Sequence, residues 1–203
     1  MVYTTALLFG PLVGGIAGGV GSMISDLILQ YPQYAPGTLI IKGGEGVIVG
    51  YLGNRLFKLK PDTNWKLVST SIALIAAIFV GTLGIAYYSG PIEASIGCPG
   101  AAQTTVTGEV PIVLWIGLAA LIFVVVTSLG FSSEPQFSLL VLAVLAGGAE
   151  MVLGYLLYEM NVLALGWAAL AEVPFNLGQA SVGLLVSIPL VRAIRKRIPR
   201  FET

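Results

Sequence analysis

The sequence predicts an all-α, polytopic transmembrane helix bundle that forms one integral membrane domain over 1–203. Three observations predict it. The chain is 56% hydrophobic and 10% charged, with a mean hydropathy of +0.92, whereas a soluble domain carries about 25% charged residues. Six apolar stretches approach the ~20 residues a helix needs to cross a bilayer. Nine of the ten Lys and Arg residues fall in two clusters, Arg55–Lys66 and Arg192–Arg200, a pattern that marks the cytoplasmic side.

Residues 1–9 read as the end of a helix. Phe9-Gly10-Pro11 then reads as a tight turn, because Pro restricts the residue before it and starts a helix well. Spans are expected at about 12–29, 37–57, 67–88, 110–131, 138–158 and 174–195, each of crossing length. The breaks between them are Tyr31-Pro32-Gln33-Tyr34-Ala35-Pro36, Lys60-Pro61-Asp62, the loop 89–109 and Ser132-Ser133-Glu134-Pro135. With both basic clusters inside, the parity of the spans closes only if 162–172 does not cross. The C-terminus is then cytoplasmic in the cell (plasma) membrane. Tyr31, Tyr34, Tyr87, Tyr88, Tyr155, Tyr158 and Trp167 gather on the external side as an interfacial belt. Under this topology the stub 1–9 starts within or just outside the membrane, so an upstream helix is inferred to be missing.

Several function classes are excluded by composition. The net charge is zero, so there is no electrostatic footprint for nucleic acid. There is no His, which removes His-based catalysis and the commonest metal ligand. The single Cys98 cannot make an internal disulfide or a Cys-cluster metal site. No H-E-x-x-H, Gly-x-Ser-x-Gly or phosphate-loop pattern occurs. The residue inventory therefore calls for no metal or cofactor and no catalysis or ATP hydrolysis in this chain. The 26 glycines suit closely packed membrane helices. The run Gly10-x3-Gly14-x3-Gly18 is a packing stripe whose partner, internal or another subunit, stays open.

The tenth basic residue, Lys42, lies inside the apolar run Thr38–Phe57 with Glu45 one turn on. A lysine there costs roughly 3 kcal/mol on insertion scales, so it faces a cavity or a partner. Thr38, Lys42 and Glu45 share one helix face. Asp26 lies toward the outer end of the first span, Glu150 near the middle of the fifth, and Tyr155 above Glu150. Asn176 and Gln179 stand one turn apart at the start of the sixth. These polar groups converge on the outer third, as in small-molecule pockets. Each has a plainer reading. Lys42 and Glu45 form a structural ion pair or line a pocket; Asp26 caps a helix or sits in the headgroups. Glu150 meets a close helix contact or partners Lys42, and Asn176 and Gln179 are ligand contacts or interhelical glue. Tyr155 and Trp167 are belt residues or stack on a ligand ring.

The stretch YTTALLFGPLVGGIAGGVGSMISDLILQYPQYAPGTLIIKGGEGVIVGYL resembles the substrate-binding (S) components of energy-coupling factor (ECF) transporters. So does the later LAGGAEMVLGYLLYE…ALAEVPFNLGQASVGLLVSIPLVRAIRK. The likeness covers residues 3–52 and 143–196 and is greatest to the riboflavin, pyridoxine and hydroxymethylpyrimidine group. The joint pattern FGP…YPxYAPxTLIIKGxEG…GYLLYE…PFNxxQ carries it. The resemblance implies a membrane subunit that captures a vitamin or vitamin precursor from outside for ATP-driven uptake. Its partners would be a transmembrane coupling subunit and two ATPase subunits. It also implies ligand contacts at Lys42 and Glu45 on the fourth family helix, Glu150 and Tyr155 on the fifth, and Asn176 and Gln179 on the sixth. Two departures are expected: the first family helix and the ligand-capping loop are absent, and 67–131 is a two-helix insertion. The competing reading is a stand-alone ion-coupled transporter of a small polar solute, using Asp26, Glu45 or Glu150 as the cation site.

Overall fold

A computed structural model describes residues 1–57, 65–96, 104–131 and 136–198. Its helices are α1 (Val2–Ile28), α2 (Ala35–Phe57), α3 (Trp65–Tyr88), α4 (Ile112–Gly130), α5 (Gln136–Asn161) and α6 (Val173–Arg197). All six expected spans are present as helices. The expected breaks at 60–62 and 132–135, and Cys98, lie outside the described residues. Four stretches are long and apolar enough to cross a membrane: Val2–Ile28, Lys66–Tyr88, Leu139–Asn161 and Gly166–Arg197. α2 is set apart from these by Lys42 and Glu45 in its middle, and the apolar run of α4 is short, Ile112–Ser128.

The turn expected at Phe9-Gly10-Pro11 breaks α1. Gly10 has φ 84°, a backbone conformation that residues with a Cβ rarely adopt, and Pro11 opens the second arm. The short arm 2–9 folds back along the long one, with Ala6 against Gly14 and Val2 against Gly18. Arg195, near the end of α6, donates from Nη2 to the Leu7 carbonyl at 2.7 Å. It thereby caps carbonyls that the arm's last turn leaves without helical partners.

The partner of the glycine stripe is internal. Gly10 and Pro11 meet Gly50, Gly14 meets Gly46, and Gly18 meets the Lys42 carbonyl. A Cβ on Gly46 would collide with the Gly14 backbone. The two helices therefore run antiparallel with backbones in contact, an approach that only small residues allow.

α5 packs between α2 and α6. Its Leu140, Val141 and Val144 join Leu7, Ile188 and Val191 in the main core. α3 and α4 pack chiefly on each other: Gly84 leaves room for the Trp115 ring, whose indole N–H donates to the Tyr88 carbonyl at 3.2 Å. Between them the expected loop 89–109 contains an antiparallel hairpin, β1 (Gly90–Ile96) and β2 (Thr104–Val110), with Gly90 opposite Val110. The Thr- and Val-rich run of β2 favours a strand, where the sequence reading expected only a loop. Within 162–172, Gly166–Glu172 is a short 3-10 helix that belongs with α6 to the apolar stretch Gly166–Arg197. The Tyr88 hydroxyl donates to the Leu170 carbonyl at 3.1 Å, which ties the α3–α4 pair to this connector.

Candidate ligand-binding site

Helical spacing puts Thr38, Lys42 and Glu45 on the face of α2 turned toward α5. All three are buried, Lys42 at 6% exposure and Glu45 at 1%. The Lys42 ammonium donates to Glu45 Oε2 at 3.0 Å, to Gln179 Oε1 at 3.2 Å and to the Met151 thioether sulfur. It also lies 6.0 Å from the Tyr155 ring centroid, within cation–π range. The Tyr155 hydroxyl donates to Thr38 Oγ1 at 3.0 Å. One ammonium thus gathers side chains from α2, α5 and α6. A buried charge pair is tolerable only when its remaining hydrogen-bonding capacity is also met, and the three donors of a lysine are met here.

Lys42 is therefore both ion-paired with Glu45 and joined to residues expected to line a pocket. Glu150 makes no ion pair with Lys42 within 4.0 Å among the described residues, though it lies within electrostatic reach of it. Its Oε1 lies against Gly44, where a Cβ would stand 3.0 Å away, and its Oε2 is buried without a hydrogen-bond partner among the described residues. Asp26 is half-buried at the end of α1, with Oδ2 in the same unpartnered condition. Asn176 is half-buried one turn before Gln179. Trp167 stands outside the cluster. It is 78% exposed on the 3-10 helix.

Two neighbours were missed from sequence. Met151 packs on the ammonium from α5, one turn before Tyr155; that spacing was the available signal, masked by the conspicuous Glu150 beside it. Tyr3 reaches in from the short arm of α1. Its ring lies against Gly183 and its hydroxyl near Gly148, with Glu45 and Glu150 as its charged neighbours. Nothing in its local sequence distinguishes Tyr3 from a belt residue.

An apolar cleft of about 490 Å³ separates the α3–α4 pair from α5 and α6, lined by residues such as Ile75, Phe79, Ile122, Leu145 and Leu184. None of the polar residues singled out above lines it. The expected polar groups Lys42, Glu45, Tyr155 and Gln179 converge, joined there by Met151.

A bundle of apolar helices, four of them long and apolar enough to cross a membrane, is a multi-pass membrane protein, and it buries Lys42 and Glu45 among its helices. A family model described as "ECF-type riboflavin transporter, S component" matches residues 1–129, and the chain belongs to that family. It is accordingly a membrane-embedded member of the ECF S-component family. The matched stretch takes in α3 and nearly all of α4, most of the region 67–131 that the sequence reading set apart. It ends before α5, so Glu150, Tyr155, Asn176 and Gln179 lie beyond it. An uncharacterized protein in the gap 3'region of Pyrococcus woesei is 46% identical over 88 residues, which is 43% of this chain and 55% of that protein. The chain thus spans about half the length of this curated relative. No solved structure matches the chain.

Proposed function

We propose that this S component captures a vitamin or vitamin precursor from the outer face and passes it inward for ATP-driven uptake. A transmembrane coupling subunit and two ATPase subunits would supply the energy. The observation that carries the reading is Lys42, a buried ammonium held at once by α2, α5 and α6. The family makes riboflavin the first ligand to try. The proposed orientation has the C-terminus in the cytoplasm. Arg55, Lys66 and the Arg192–Arg197 group favour it, because the ends of α2, α3 and α6 that carry them lie at one end of the bundle.

The ligand enters between the outer ends of α2, α5 and α6 and exchanges its own polar edge for the contacts of Lys42 with Gln179 and Met151. Gln179 and Asn176 then hydrogen-bond the ligand, and Glu45 stays as the counter-charge of Lys42. Tyr155 presents its ring edge to a heteroaromatic ligand, Glu150 accepts a donor from it, and Asp26 stands at the rim. The Lys42–Glu45 pair gives a stable empty state, and ligand binding repays the broken contacts.

The test is a thermal-shift screen of the detergent-solubilised protein against riboflavin, pyridoxine, thiamine and hydroxymethylpyrimidine. A ligand that binds only the folded state raises apparent stability by mass action. A saturable shift with one compound supports the reading and names the cargo. No shift with any of them, in a protein that melts cooperatively, refutes it.

A further inference from the structure

The apolar cleft between the α3–α4 pair and α5 and α6 has the length and the depth of a lipid chain. It runs along α5 from Leu142 to Leu153, about 16 Å at a helix's rise of 1.5 Å per residue. One leaflet fills half of a hydrocarbon core about 30 Å thick, so a single lipid chain extends over about the same distance. The cleft volume of about 490 Å³ falls within the range of about 300–1,000 Å³ that small-molecule pockets occupy. Ile122, Val144 and Leu184 form its buried floor, while Ile75, Phe79 and Leu153 are more than half exposed at its open side.

Nothing polar is offered to an occupant. Ser181 carries the one side-chain hydroxyl among the lining residues, and it donates to the Leu177 carbonyl of its own helix at 2.8 Å. A cavity lined this way stays dry. Three of its four walls, α3, α5 and α6, belong to stretches long and apolar enough to cross a membrane, so the medium at its open side is lipid. Atoms lining a gap lose their dispersion contacts, and a chain seated here restores them on all four walls at once.

The charge pattern indicates which lipid. The cleft begins at Ile72 on α3, six residues after Lys66, or about 9 Å along the helix. Lys66 is exposed. On α6, Arg192 stands eight residues beyond Leu184, or about 12 Å, at the same end of the bundle. The headgroup layer adds about 5–8 Å on each side of the hydrocarbon core, so both cations stand near headgroup depth when a chain lies in the cleft. Basic groups beside membrane helices attract anionic headgroups.

We propose that this cleft binds one hydrocarbon chain of an anionic phospholipid from the leaflet at the basic end, with the headgroup beside Lys66 and Arg192. The site is separate from the lysine cluster, and its occupancy does not depend on which solute Lys42 takes.

The experiment uses the delipidated full chain in dodecyl maltoside. Palmitoyl-oleoyl phosphatidylglycerol or palmitoyl-oleoyl phosphatidylcholine is added, bound lipid is counted by native mass spectrometry, and thermal unfolding is followed in parallel. It is repeated with Ala149→Phe and with Ile75→Trp, which place a ring in the cleft from exposed lining positions of α5 and α3. The wild type is expected to retain one phosphatidylglycerol and to melt at a saturably higher temperature. Phosphatidylcholine should bind at least about fivefold more weakly. Both variants should lose the retained lipid and the thermal response. An equal response in wild type and variants overturns the proposal, because lipid then acts on the general surface of the bundle. Equal binding of the two lipids also overturns it, as does a lipid-free chain that pairs with a second copy. If neither variant folds, the exposed Lys66→Gln decides: the preference for phosphatidylglycerol should shrink several-fold, and an unchanged preference overturns the proposal.

Discussion

Replacing Lys42 separates a ligand contact from a structural ion pair, provided its partner is changed with it. Lys42→Met alone removes the 3.0 Å pair with Glu45 and the 3.2 Å bond to Gln179. It leaves Glu45, 1% exposed, as a buried charge without its cation, and breaking a buried pair this way costs about 3–5 kcal/mol. That loss is large against a total stability of about 5–15 kcal/mol, so weaker binding by the single variant would say little. Lys42→Met/Glu45→Gln removes both charges while keeping side-chain volume. Neutral replacement of a whole buried pair is often close to neutral in stability, so the double variant should recover most of the loss. Ligand binding should not recover. A hydrogen bond to a charged group contributes about 1.5–3 kcal/mol, which corresponds to a roughly 10- to 150-fold weaker Kd. The assay pairs thermal unfolding with ligand titration for the wild type, both single variants and the double. Wild-type affinity in the double variant would remove Lys42 from the site and leave it a purely structural residue.

Three further outcomes follow from the geometry. Gly46→Leu should force α1 and α2 apart at Gly14, costing at least about 1–3 kcal/mol as overpacking; an unchanged melting temperature would contradict the backbone contact. Tyr155→Phe removes the donor to Thr38 and should cost about 0.5–1.5 kcal/mol, with ligand affinity falling less than in the Lys42 double variant; a larger fall would make the Tyr155 hydroxyl a direct ligand contact. Arg195→Met loses the bond to the Leu7 carbonyl, so amide hydrogen exchange should speed up in residues 2–9 ahead of the rest of α1; equal protection throughout α1 would show that the arm is held by packing alone.

Much of the architecture was legible because membrane helices announce themselves by apolar length, and because charge clusters and parity fix which segments cross. The break at Gly10 was legible from Gly-Pro chemistry. The face of α2 was legible because Thr38, Lys42 and Glu45 follow helical spacing. What escaped was long-range. Glu150 and Glu45 have the same side chain, and only the packing of α5 against Gly44 gives Lys42 to Glu45. Met151 looks like any core methionine until it is seated on an ammonium. The hairpin at 90–110 was hidden because a short β-run between Gly and Pro residues competes with a loop on nearly equal terms. Tyr3 joins the cluster through a chain reversal, which a periodicity argument confined to one helix cannot anticipate.

The glycine seam decides which part of the molecule can yield. Gly18 lies against the carbonyl of Lys42 itself, and Gly46 against Gly14, so α1 and α2 behave as a single slab with the lysine mounted on its edge. α6, by contrast, meets that lysine through one side-chain amide at 3.2 Å. On the proposed reading, the Gln179 bond is the contact to Lys42 that a solute would exchange, while the α1–α2 slab that carries the lysine stays as it is.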